Sequence, residues 1–123
     1  MKNLALSFSG WYCLAFAAFH LTFWKIFRWK ADLRQLTPVN RAITQVLNLR
    51  LAYVLLFVGI ALLLFQNDLL ATGLGRFILV AMSLFWIMRA VEQIIFFDRS
   101  STISWVLVLI FLLGGGLFVI PAF

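Results

Sequence analysis

The sequence predicts an all-α integral membrane protein: an antiparallel bundle of four transmembrane helices forming one domain over residues 1–123. Three observations predict it. The chain is 65% apolar and 11% charged, with a mean hydropathy of +1.08, whereas a soluble domain is about 45–50% apolar and about 25% charged. Four stretches approach the roughly 20 apolar residues that a spanning helix needs. The cations, finally, crowd into one connection between those stretches rather than spreading over a surface.

Composition also excludes several classes. Fourteen Phe, five Trp and two Tyr are more than one small soluble core can hide, and the chain is neither disordered nor a disulfide scaffold. Ten Lys plus Arg against four Asp plus Glu give +6; on so apolar a chain this reads as membrane topology, and nucleic acid is not an expected partner. Cys13 alone cannot form an intrachain disulfide or a CxxC pair, and His20 alone cannot give bis-His haem ligation within one subunit.

The first span covers residues 4–24, uncharged between Lys2 and Lys25. A signal peptide would need a polar region after Ala17-Ala18; the chain instead stays apolar to Trp24 and then meets its densest cationic block, a stop-transfer pattern that reads as a retained helix. The connection, residues 25–37, interleaves Trp24, Phe27 and Trp29 with Lys25, Arg28 and Lys30, as an interfacial anchor does. Its charges do not fall on one helical face, so it reads as an interfacial segment rather than a surface helix. Trp24, Lys25, Arg28, Trp29 and Lys30 are its expected lipid contacts, serving as a topological anchor or as a specific anionic-lipid site.

Thr37 followed by Pro38 is an N-cap with proline in the first helical position, so the second span runs over residues 38–65. At 1.5 Å per residue it is about 42 Å long, and its first two turns project into the interface. Asn67-Asp68 marks the break before a third span, residues 75–97, and Asp98-Arg99-Ser100-Ser101 the break before a fourth, residues 102–121. Lys25, Arg28, Lys30, Arg34 and Arg41 then place the first and third connections in the cytoplasm and both termini outside, in a membrane expected to be the bacterial inner membrane.

Ionisable groups inside a span cost on the order of 2.5–3.5 kcal/mol each on insertion scales, so each needs a partner or a purpose. On the second span Arg41, Gln45, Asn48 and Ala52 fall within about 60° of one another at 100° per residue. Arg50 lies on the opposite face, where it can snorkel. On the third span Arg89, Glu92 and Gln93 share a face. The two stripes are expected to face each other at one depth, with His20 joining them. Read structurally, Glu92 neutralises Arg89 one turn away while Asn48 and Gln45 bond between helices. Read functionally, Arg89, Glu92, Gln93, Asn48, Gln45, Arg41 and His20 form a polar pocket that binds or transports a small solute, an anion or a lipid-like amphiphile. Cys13, with no cation within a turn, reads as an inert apolar side chain.

Gly114, Gly115 and Gly116 permit close backbone approach in the fourth span, either within the chain or at the contact of a homo-oligomer, while Pro121 stands close to its end. Membrane lipids are the other expected partners. An accessory subunit of a larger membrane complex is the alternative function. A lipid-modifying enzyme using His20 and Glu92 ranks third, because the sequence has no metal-ligand cluster, no cofactor motif and no spaced nucleophile–base pair; no cofactor or metal is expected.

Overall fold

The computed structural model describes residues 1–123 and contains helices but no strand. Their order is α1 (Lys2–Leu21), α2 (Phe23–Ile26), α3 (Trp29–Asp32), a 3-10 turn (Leu33–Gln35), α4 (Pro38–Leu64), α5 (Gln66–Ala71), α6 (Gly73–Phe96) and α7 (Thr102–Ala122). Four of them, α1, α4, α6 and α7, are long and apolar enough to cross a membrane. The protein is therefore an all-α, multi-pass integral membrane protein.

Each long helix buries one narrow stripe. On α4 it runs Asn48, Ala52, Leu55, Gly59, Leu62, and on α6 Leu79, Ser83, Trp86, Ala90, Gln93, spacings of three and four that keep one face turned inward. The opposite faces carry Phe57, Leu64, Phe77 and Leu109, each more than half exposed. A surface this apolar is stable only against hydrocarbon.

Three element boundaries differ from the sequence reading. The first span ends at Leu21, since Thr22 interrupts it and Phe23–Ile26 forms a separate turn. Arg28 then adopts a left-handed conformation, φ 52°, between α2 and α3. That is a strained geometry for a residue with a Cβ, and it breaks any common helical face that the cations could share. Asn67-Asp68 lies between the second and third spans, as expected, but within a short helix, α5, with Asp68 in its first turn, where a carboxylate suits the helix dipole. The chain turns instead at Phe65 and Thr72. The Thr72 hydroxyl accepts from Gly75 N at 3.0 Å and caps α6, which starts at Gly73 because a cap fixes where the first turn begins. A Cβ on Gly75 would strike the Leu69 backbone, so only glycine fits this corner. Thr37 caps α4, its hydroxyl accepting from Asn40 N at 3.4 Å.

The chain forms two compact units, residues 10–61 and residues 1–9 with 62–123. In the first, α4 approaches α1 at Gly59, where a Cβ would lie 2.9 Å from Gly10 O. In the second, α6 and α7 form an antiparallel hairpin. The Ser83 hydroxyl donates to Gly115 O at 2.7 Å, and the Trp86 and Phe111 rings stack at 6.0 Å. Pro121 has no N–H for the carbonyl of Leu117 four residues earlier; the Ser9 hydroxyl reaches it at 3.1 Å while also donating to Ala5 O at 2.8 Å.

Gly114 and Gly115 are buried within the single chain, and a Cβ on Gly115 would come within 2.8 Å of Ile87 Cγ1. The notch that the sequence offered to a second subunit is thus filled at Gly115 by α6 of the same chain; beside it, Gly116 has open space. Gly115→Leu is expected to lower the thermal stability of the detergent-solubilised protein by about 1–3 kcal/mol through overpacking. Gly116→Ala should be neutral or slightly stabilising, since mid-helix glycine costs roughly 0.5–1 kcal/mol relative to alanine.

The α6–α7 corner is held by Asp98. Its carboxylate accepts from Ser100 N at 2.9 Å and from the Ser100 hydroxyl at 2.8 Å, and these two bonds hold it below the usual carboxylate range. A depressed folded value means that the contribution is present above the ordinary Asp pKa of about 3.9 and is lost as pH falls through the folded value. Amide exchange at Ser100 should accelerate on acidification in that window beyond its intrinsic trend, and Asp98→Asn should abolish the difference.

Candidate functional site

Within residues 10–61, one face of α4 is bonded step by step to the chain that precedes it. At its base the Arg41 guanidinium donates to Leu33 O at 2.8 Å, Leu36 O at 3.1 Å and Arg34 O at 3.2 Å, tying the 3-10 turn and the residue after it to α4. One turn on, Gln45 accepts from Trp24 Nε1 at 3.0 Å and donates to Arg41 O at 3.2 Å. Asn48, buried, meets His20 twice: its Nδ2 donates to His20 O at 2.8 Å, and its Oδ1 lies 2.8 Å from His20 Nδ1. Because the Asn48 amide nitrogen is committed to the carbonyl, its oxygen is left to accept, which assigns the proton to Nδ1 of the imidazole. The spacing of 41, 45 and 48 is what allows one helix face to make all three connections.

These bonds hold the connection as a cup. A cavity of about 550 Å³ is lined by Trp24, Lys25, Trp29, Lys30, Leu33, Arg34, Arg41 and Gln45. A second, of about 330 Å³, shares Trp24, Lys25, Lys30 and Arg34 and adds Arg28 and Ala31. The aromatic rings of the connection pack edge to face, Trp24 on Trp29 at 5.2 Å, Phe23 on Trp29 at 5.4 Å and Phe23 on Phe27 at 4.9 Å. Arg41 is spent on backbone carbonyls. Lys25, Lys30 and Arg34 line the cavity with their donors unclaimed by the chain. Ammonium, guanidinium and amide donors around an aromatic wall suit an anion carried on an apolar body.

The remaining expected residues lie in the other unit. The Arg89 guanidinium donates to Gln93 Oε1 at 2.9 Å, and Gln93 Nε2 donates to Ser104 Oγ at 2.9 Å, joining α6 to α7. The same guanidinium stands 4.6 Å from the Phe111 ring centroid and 5.4 Å from that of Phe97. Glu92 is exposed and accepts nothing from Arg89; the residue four positions along, not three, turns toward α7. The structure therefore brings His20, Arg41, Gln45 and Asn48 into one group, continuous with Trp24, Lys25, Trp29 and Lys30, and places Arg89 and Gln93 in another, with Ser104. Arg34, Leu33, Ser104, Phe97 and Phe111 were not among the candidates. Arg34 could have been found from its spacing of four from Lys30; the aromatic partners of Arg89 carry no signal in one sequence.

Asn48→Leu removes two hydrogen bonds at membrane depth and is expected to cost about 1–2 kcal/mol in thermal unfolding. Arg50→Leu, on the opposite face of the same helix, should stay within about 0.5 kcal/mol. No family model matches the sequence, and no curated protein or solved structure is similar to it, so the site rests on its own geometry.

Proposed function

We propose that the protein binds the anionic head group of a membrane amphiphile in the cavity between Lys25, Lys30, Arg34, Trp24 and Trp29. The observation that carries this reading is the three cations without acceptors of their own around one cup walled by packed tryptophan rings. A basic side chain near an anionic membrane surface contributes about 1 kcal/mol, so three of them, preorganised, give useful selectivity for a phosphate over a zwitterionic surface. The cluster also argues for orientation. Five cations, Lys25, Arg28, Lys30, Arg34 and Arg41, at one end of two spans put that end on the cytoplasmic side of a bacterial inner membrane, with both termini outside.

The test uses the tryptophans of the cup. Purified protein in a neutral detergent is titrated with phosphatidylglycerol or phosphatidylcholine while tryptophan emission is followed. The anionic lipid is expected to shift the emission at lower concentration, with the difference reduced by salt. Lys30→Gln and Arg34→Gln should each weaken that response about fivefold, the equivalent of about 1 kcal/mol. Equal responses to both lipids, or an unchanged response in the double variant, would leave the segment as a topological anchor only.

A further inference from the structure

A third cavity in the 10–61 unit lies one turn along α4 from the cationic cup. It is an apolar groove of about 470 Å³ between α1 and α4. Its floor is Ala17 and Ala52, both buried at 4% exposure; small side chains facing each other across two helices leave a furrow where larger ones would have met. Its walls are long and outward-facing: Leu21, Leu49 and Leu56 are all exposed. Tyr53 forms part of the wall, its ring 5.9 Å from the Arg50 guanidinium.

Groove and cup share no lining residue, but they follow one another along the chain. Gln45 lines the cup and Leu49 the groove, one turn apart on α4; Leu21 lines the groove, and Trp24 and Lys25 the cup, one turn further along the chain from α1. Along the groove itself, from Leu49 to Leu56, α4 rises about 10 Å at 1.5 Å per residue. That is about two thirds of one leaflet of a hydrocarbon core about 30 Å thick, and the cationic cup begins one turn beyond the Leu49 end.

We infer that the site takes one whole anionic glycerophospholipid, its phosphate in the cup and one acyl chain laid along the α1–α4 groove. The inference rests on the head-group reading and extends it from a charge to a molecule. Charge complementarity selects this occupant over a second copy of the chain, which carries +6 and would bring further cations to Lys25, Lys30 and Arg34. In a bilayer the groove adds no hydrophobic drive, since acyl chains are already in hydrocarbon. What it adds is register: a lipid whose chain lies in the furrow has its phosphate over the cup.

Native mass spectrometry of the protein released from mild detergent with added phosphatidylglycerol tests this. Wild type is expected to retain one lipid. Ala18→Phe, placed at the exposed rim of the groove, should lose it, and Lys30→Gln with Arg34→Gln should lose it by removing the phosphate partners. Retention by Ala18→Phe with loss in the cationic double variant would overturn the groove and leave the head-group reading intact. Retention by both variants would overturn the two together, and a lipid-free wild-type dimer would assign the groove to a second copy and overturn the inference. A measurement on wild type removes any dependence on the folding of a variant. Phosphatidylglycerol bearing a photoactivated diazirine in one acyl chain should label residues within 14–21 or 49–56, and labelling confined to α6 or α7 would overturn the inference.

Discussion

A hydrocarbon layer accepts no hydrogen bonds, so every polar group that the sequence places at membrane depth must find its partner in the chain. The polar side chains of α4 show the consequence. Arg41 fastens the 3-10 turn to α4, Gln45 ties down Trp24, and Asn48 takes both a ring nitrogen and a backbone oxygen of His20. These bonds satisfy the groups at the interfacial end of two spans, and in doing so they fix the path of the connection. Its rings and cations take their places as a result. The cup is a by-product of satisfying the backbone, and its remaining cations are those for which the backbone had no use.

Beyond Asn48 the inward stripe of α4 continues as Ala52, Leu55, Gly59 and Leu62. One helix face therefore changes character along its length, from donors that bond a loop to small residues that admit a neighbouring backbone. At Gly59 the approach to Gly10 is near the steric limit; at Ala52 and Ala17 it leaves a furrow. Side-chain size sets both outcomes, because without a hydrophobic drive between helices close packing is what holds them together.

The membrane class, the four long helices and the Thr37 cap were legible in the sequence because they follow from local quantities: apolar run length, charge position and one capping residue. The stripe of Arg41, Gln45 and Asn48 was legible for the same reason, since helical spacing fixes which side chains share a face. Its partners were not. Trp24 and His20 lie earlier in the chain, and nothing in the spacing of α4 says which of them each amide meets. The end of the second span at Phe65 was legible, but the short helix that follows was not, because Asn67-Asp68 has turn-forming composition; Asp68 stands in its first turn, where a carboxylate suits the helix dipole. Glu92 acts electrostatically on Arg89 from three positions along, but the guanidinium's hydrogen bond goes to Gln93 and through it to Ser104, on the side turned to α7, which a charge count does not reveal.

The hydroxyl of Ser9 and the carbonyl of Leu117 are separated by 108 positions in the chain. In a protein made from one end, the first helix enters the membrane long before the fourth exists, and a polar group waiting there would oppose its insertion. Ser9 does not wait, because its proton has Ala5 O within its own helix at 2.8 Å. Leu117 O lacks the usual helical donor four residues on, since Pro121 has no N–H. A proline that looks harmless near a helix end thus turns a carbonyl of the last helix toward the first, where the Ser9 hydroxyl meets it.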